Sequence, residues 1–106
     1  MTITMTTIGD RQIHVDDEGF LTEYDEWDDD LAVGLAAQIG IELTEAHWTA
    51  LRFLREDYRE RGETPTIRRV STVGGIPTRT LFALFPKKPA KKMAYVAGLP
   101  KPRGCV

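Results

Sequence analysis

Apolar and polar residues alternate through TITMTTIGDRQIHVDDEG, with Ile3 and Met5 before Gly9-Asp10 and Ile13 and Val15 after it. A period of two on both sides of a glycine-containing turn predicts a β-hairpin near residues 3–15, ended by Gly19. The period then lengthens. In DEWDDDLAVGLAAQIG the acids precede Leu31, Leu35 and Ile39, which predicts a helix whose first-turn carboxylates complement its dipole and whose C-cap is Gly40. Asp28, Asp29 and Asp30 then read as a solvated helix start.

Helical spacing is fullest in LTEAHWTALRFLREDYRERG, where Trp48, Leu51, Leu54 and Tyr58 recur on one face. Thr44 is the N-cap, Leu43 and Trp48 form a hydrophobic staple, and Gly62 stops a helix running from about Glu45 to Arg61. His47, early on that helix, reads as a cap-region or surface residue. Three shorter helices follow, each bracketed by proline or glycine: TIRRVSTV after Pro65, TRTLFALF between Pro77 and Pro86, and PAKKMAYVAGL up to Gly98. Trp48, Phe53, Tyr58, Phe82 and Phe85 are expected in the core or at its edge. Pro100, Pro102 and Gly104 exclude regular helix beyond that point. The expected architecture is mainly α (α+β), a small bundle of short helices with an N-terminal hairpin, in one domain of residues 1–97 with a mobile arm, 98–106.

Charge is distributed unevenly. The chain of 106 residues has a formal net charge of −2, but residues 1–30 carry −9, residues 31–85 carry +1 and residues 86–106 carry +6. Arg68 and Arg69, with Lys87, Lys88, Lys91 and Lys92, are candidates for a basic face that docks a partner protein. No run of apolar residues is long enough for a membrane span and no signal-peptide pattern opens the chain, so a soluble, cytoplasmic protein is expected. A single cysteine excludes an internal disulfide, and His14, His47 and Cys105 are too scattered for a zinc site, so neither metal nor cofactor is expected.

That cysteine lies in KPRGCV, residues 101–106. Residues 98–106, fully extended, reach about 30 Å, far enough for a thiol to enter a partner's active site while the body stays outside. Two prolines reduce the conformational freedom lost on docking. Lys101 and Arg103 favour the thiolate and the Val106 carboxylate opposes it. A fall of one unit from a thiol pKa of about 8.5 raises the thiolate fraction at neutral pH from about 3% to about 25%.

AGLPKPRGCV (Ala97 to Val106) resembles the C-terminal signature of the TusE/DsrC family of small sulfur-carrier proteins, which includes the gamma subunit of dissimilatory sulfite reductase. The resemblance extends over Asp17-Glu18-Gly19-Phe20-Leu21 with Trp27, LTEAHW (Leu43 to Trp48), Phe53-Leu54-Arg55-Glu56 with Tyr58, Pro65 to Arg68, and Leu84 to Lys91, in the family's order over about residues 10–106. It implies a helical bundle with an N-terminal hairpin and a mobile C-terminal arm. It also implies that Cys105 accepts sulfane sulfur as a persulfide and passes it from an upstream donor protein to an acceptor. Such exchange needs an exposed thiol.

Two departures bear on the branch. Members linked to sulfite reductase carry a second cysteine eleven residues before the penultimate one, where this chain has Ala94. An intramolecular disulfide is then impossible, which favours a TusE-like relay ending in thiolation of a tRNA uridine. The segment VSTVGGIPTRT is also shorter than the family's usual one, so partner contacts made there are in doubt. The alternatives are a single-cysteine DsrC-like carrier in dissimilatory or oxidative sulfur metabolism, and a DNA-binding regulator using the short helices of residues 44–85. An isoelectric point near 5.6 argues against direct nucleic-acid binding, although the basic end keeps it open.

Overall fold

The computed structural model describes residues 3–102. The alternating segment forms an antiparallel hairpin of β1 (Thr4–Ile8) and β2 (Arg11–Val15), with Ile8 opposite Arg11 across the turn and Thr4 opposite Val15. Residues directly opposite one another share a face, so this register groups Ile8, Ile13 and Val15, which are buried with Leu21, Leu31 and Leu35. It also turns Ile3 and Met5 the other way, where they are 57% and 50% exposed.

A short 3-10 turn, Tyr24–Glu26, leads into α1 (Asp29–Gln38). Asp28 is its N-cap, accepting the Leu31 N–H at 2.9 Å and the Arg11 guanidinium at 2.6 Å. The Asp28 carboxyl is accordingly held below its ordinary pKa, first by the Leu31 N–H and then by Arg11. The helix tolerates Gly34 in its interior for a steric reason. A Cβ there would lie 2.7 Å from Ile8 Cγ2, so the glycine lets the hairpin approach α1.

The longest helix, α2 (Glu45–Arg61), has the expected bounds, with Gly62 left-handed at its end. His47 belongs to the cap region and is buried rather than on the surface. The Thr44 N–H donates to His47 Nδ1 at 3.0 Å, which leaves Nε2–H to donate to the Leu84 carbonyl at 2.8 Å. The imidazole also meets Phe85 edge-on, with ring centroids 5.1 Å apart. A capping residue therefore ties the start of α2 to the end of a helix 37 positions away.

Two short helices, α3 (Ile67–Thr72) and α4 (Thr78–Leu84), pack on each other and carry the chain to α5 (Pro89–Ala97). Leu81 of α4 and Phe85, the residue that caps its C-terminus, lie four apart and are buried together. Phe82 was expected in or near the core, but it is rotated about 100° from Leu81 and is 50% exposed. Helix α5 is the centre of the bundle, packing against α1, α2 and α4. Met93, Ala94, Val96 and Ala97 have no solvent exposure, and the small side chains allow close approach to Ala50, Leu51 and Leu54 of α2. Among the described residues no helix is long and apolar enough to cross a membrane.

Candidate functional site

The chain leaves the bundle from the C-terminal end of α5, and side chains distant in sequence hold that point. Gly98 adopts φ 70°, with its N–H donating to the Tyr95 carbonyl at 3.2 Å, and the Leu99 N–H donates to the Ala94 carbonyl at 3.0 Å. This left-handed closure satisfies carbonyls that a helix end would leave unpaired. It also requires glycine on steric grounds, because a Cβ at position 98 would sit 2.5 Å from Trp27 Cδ1.

Two side chains from outside α5 complete the closure. Trp27 Nε1–H donates to the Val96 carbonyl at 2.9 Å, and the Arg55 guanidinium donates to the Ala97 carbonyl at 2.8 Å and to the Tyr24 carbonyl at 2.9 Å. The Arg55 guanidinium carbon lies 3.9 Å from the Tyr24 ring centroid and 4.2 Å from that of Trp27. A cation between two aromatic faces, with its N–H groups on carbonyls, has a fixed orientation. Burial lowers the Arg55 pKa from its ordinary value, and a guanidinium remains charged nonetheless.

Beyond Gly98 the chain does not swing free at once. Leu99 is wholly buried, the Thr64 hydroxyl donates to the Pro100 carbonyl at 2.8 Å, Lys101 Nζ lies 3.1 Å from Glu18 Oε1, and Pro102 is buried. The arm expected to begin at residue 98 is therefore seated on the body as far as Pro102. The physical reason is that Leu99 and Pro102 are apolar and find core surface within reach of α5. Arg103 and Cys105 lie outside the described residues. Counted from Pro102, the three residues to Cys105 can span at most about 11 Å, well under half the reach expected of the whole arm.

Clefts flank this seated segment. One, of about 300 Å³, is lined by Tyr58, Thr64, Pro100 and Lys101; Tyr58 stacks on Tyr24 at 5.7 Å. A second, of about 640 Å³, lies beside Glu18 and collects Lys87, Lys88, Lys91 and Lys92. Four of the residues expected on a basic face are thus brought together. Lys92 is also tied to the Pro86 carbonyl.

The two arginines assigned to that face behave differently. Arg68 is exposed and lines a separate cleft with Arg61 and Thr72. Arg69 is committed internally: its Nε lies 2.9 Å and its Nη2 2.7 Å from the two Asp57 oxygens. Asp57 is buried on α2, and the Arg69 hydrogen bonds hold its carboxyl below the usual range against the opposing effect of burial. Arg69 joins α3 to α2 and has little capacity left for a partner.

Sequence reasoning did not single out Thr64, and it had Glu18, Trp27 and Arg55 only as parts of motifs, without individual roles. Nothing in local spacing relates residue 27 to 96, or 55 to 97. The one available hint was that Trp27 and Arg55 both fall in stretches that carry the family resemblance.

The chain and its overall fold have counterparts among known proteins. The family model described as DsrC like protein matches residues 7–106. The sulfurtransferase TusE of Salmonella typhimurium is 42% identical over 103 residues, covering 91% of this chain and 94% of that protein. TusE of Escherichia coli K12 is 39% identical with the same coverage. The solution structure of Allochromatium vinosum DsrC superposes with a TM-score of 0.81 at 38% identity, covering 99% of this chain and all of that one. The oxidized gamma subunit of dissimilatory sulfite reductase from Archaeoglobus fulgidus superposes with a TM-score of 0.75 at 33% identity, covering 97% of this chain and all of that one.

Proposed function

The chain belongs to the DsrC-like family, and from that premise we propose that it is a sulfur-relay carrier that holds sulfane sulfur as a persulfide on Cys105 and passes it to a partner protein. The observation that carries the reading is the family match itself, which runs through residue 106 and so includes Cys105. The seated root supports it: Trp27, Arg55, Thr64 and Glu18 give the segment bearing the thiol a defined point of departure.

The exchange is a thiolate substitution. Cys105 thiolate attacks the terminal sulfur of a donor persulfide, the new S–S bond forms as the old one breaks, and the donor leaves as a thiolate. No net oxidation occurs. Delivery repeats the step with Cys105 as the leaving group. Lys101 is held by Glu18 in the seated state, so its full charge becomes available to the thiolate when that exposed pair opens.

The single cysteine favours a TusE-like relay toward a tRNA-thiolating enzyme, since Ala94 cannot close a disulfide within the chain. Ala94 is also wholly buried beneath the Leu99 backbone, which places that position next to the arm root. The solved DsrC relatives keep a second reading in view, a single-cysteine carrier in sulfur energy metabolism.

The test is loading. Incubation with a persulfidated donor protein, or with thiosulfate and a sulfurtransferase, should add about 32 Da per sulfur to the intact mass, and reductant should remove it. Cys105→Ala should accept none. Loading of the alanine variant, or no loading of the parent with several competent donors, overturns the proposal.

A further inference from the structure

We propose that the lysine-rimmed cleft beside the arm root docks an acidic segment of the sulfur-transfer partner, one that places an apolar side chain against Tyr95 and Ile39. The inference rests on the carrier reading and specifies the partner surface. Lys87, Lys88, Lys91 and Lys92 surround a cleft of about 640 Å³ whose lining includes Phe20, Ile39 and Tyr95. Phe20 and Tyr95 meet edge-on at 6.0 Å, giving the cleft a rigid aromatic wall. Burial raises the Tyr95 pKa, so the phenol stays neutral against the lysines.

Charge complementarity identifies the occupant. Among the described residues none of the four lysines is within ion-pair distance of a carboxylate, and the nearest acid on the rim, Glu18, is engaged by Lys101. Four positive charges over an apolar wall match alternating carboxylates flanking one aromatic or aliphatic residue. A nucleic acid fits less well. A polyanion running out of the cleft past Glu18 meets Asp16 and Asp17 in the same turn, whereas a short peptide remains between the lysines.

The position gives the surface a use. Glu18 lines the cleft and also holds Lys101, so a partner segment seated there lies beside the root of the thiol-bearing residues. With only about 11 Å of chain between Pro102 and Cys105, the body must dock close to the acceptor, and the cleft supplies that contact.

The probe is a fluorescein-labelled peptide of about eight aspartates and glutamates with a central phenylalanine, titrated against the full chain and followed by polarisation and by amide chemical shifts. Saturable binding should shift Phe20, Ile39 and Tyr95, and should weaken roughly tenfold or more in Lys88→Glu/Lys91→Glu and by a smaller factor in the glutamine pair. Replacing the peptide's phenylalanine with serine should weaken binding about fivefold. Absence of saturable binding overturns the proposal. So does binding that the lysine variants leave unchanged while their circular dichroism matches the parent, or tighter binding of a single-stranded oligouridylate to the same lysines.

Sulfur loading of Cys105 by a small polysulfide separates the two readings. If loading is normal in the parent and peptide binding fails, the cleft assignment is lost and the carrier stands. If loading fails, the carrier reading falls whatever the cleft binds.

Discussion

Leu99→Ala tests whether the root of the arm is part of the core. Leu99 has no solvent exposure and packs in the cluster of α2 and α5 residues that includes Leu51, Leu54 and Ala97. Truncating a wholly buried leucine loses the transfer free energy of the removed carbons and leaves a cavity, together about 2–5 kcal/mol. The surroundings have little freedom to collapse, because the adjacent α5 terminus is held by Trp27 and Arg55 and its small residues, Ala94 and Ala97, have no side chains to swing inward. A loss near the middle of the range, about 3 kcal/mol, is expected, and for a domain of this length it corresponds to a fall in Tm of roughly 12–24 °C. Thermal and urea melts followed by far-ultraviolet circular dichroism measure it, with an unchanged urea m-value confirming that only stability moved. Lys101→Ala is the control. Its partly exposed pair with Glu18 contributes about 0–1 kcal/mol, so Tm should fall by no more than about 4–8 °C, well short of the leucine variant. A Leu99→Ala protein melting within about 4 °C of the parent would refute the placement of the root in the core.

Gly98→Ala combines a left-handed φ with a Cβ 2.5 Å from Trp27, and should lower Tm more than Gly75→Ala, whose Cβ meets open space at a similar φ. Asp57→Asn removes a carboxylate whose native pKa lies below its unfolded value near 4; the wild-type advantage is fully present above that pH and is lost as pH falls through the native pKa, so the two melting temperatures should converge in acid, and a constant gap down to pH 2 would contradict the Arg69 pairing. Oxidation should give disulfide dimers through Cys105 or mixed disulfides with small thiols; a monomer lighter by about two mass units, seen on intact-mass analysis, would contradict the one-cysteine argument. Deleting residues 103–106 should abolish sulfur acceptance while leaving the melt close to that of the parent, because the buried Leu99 and Pro102 stay in place.

Local signals were sufficient for the elements. The turn at Gly9-Asp10, the cap at Thr44, the stop at Gly62 and the proline-bracketed helices depend on interactions among near neighbours, and the hairpin, α2 and α5 fall where those residues put them. The family and its cysteine were also legible, because KPRGCV and LTEAHW are contiguous stretches. Other features depended on which surfaces meet. Register decided that Ile3 and Met5 face outward, since opposite partners share a face whatever their hydrophobicity. Rotation about α4 decided that Phe82 is exposed and Phe85 buried. Arg69 reads as one more surface cation until Asp57 is seen 2.7 Å away on another helix, and Leu99 reads as arm until the core is seen to extend under it. The clamp of Trp27 and Arg55 on α5, and the gathering of four lysines beside Glu18, join residues tens of positions apart. Their energies come from desolvation and directional hydrogen bonds between faces that no local period encodes, so only the packed chain could reveal them.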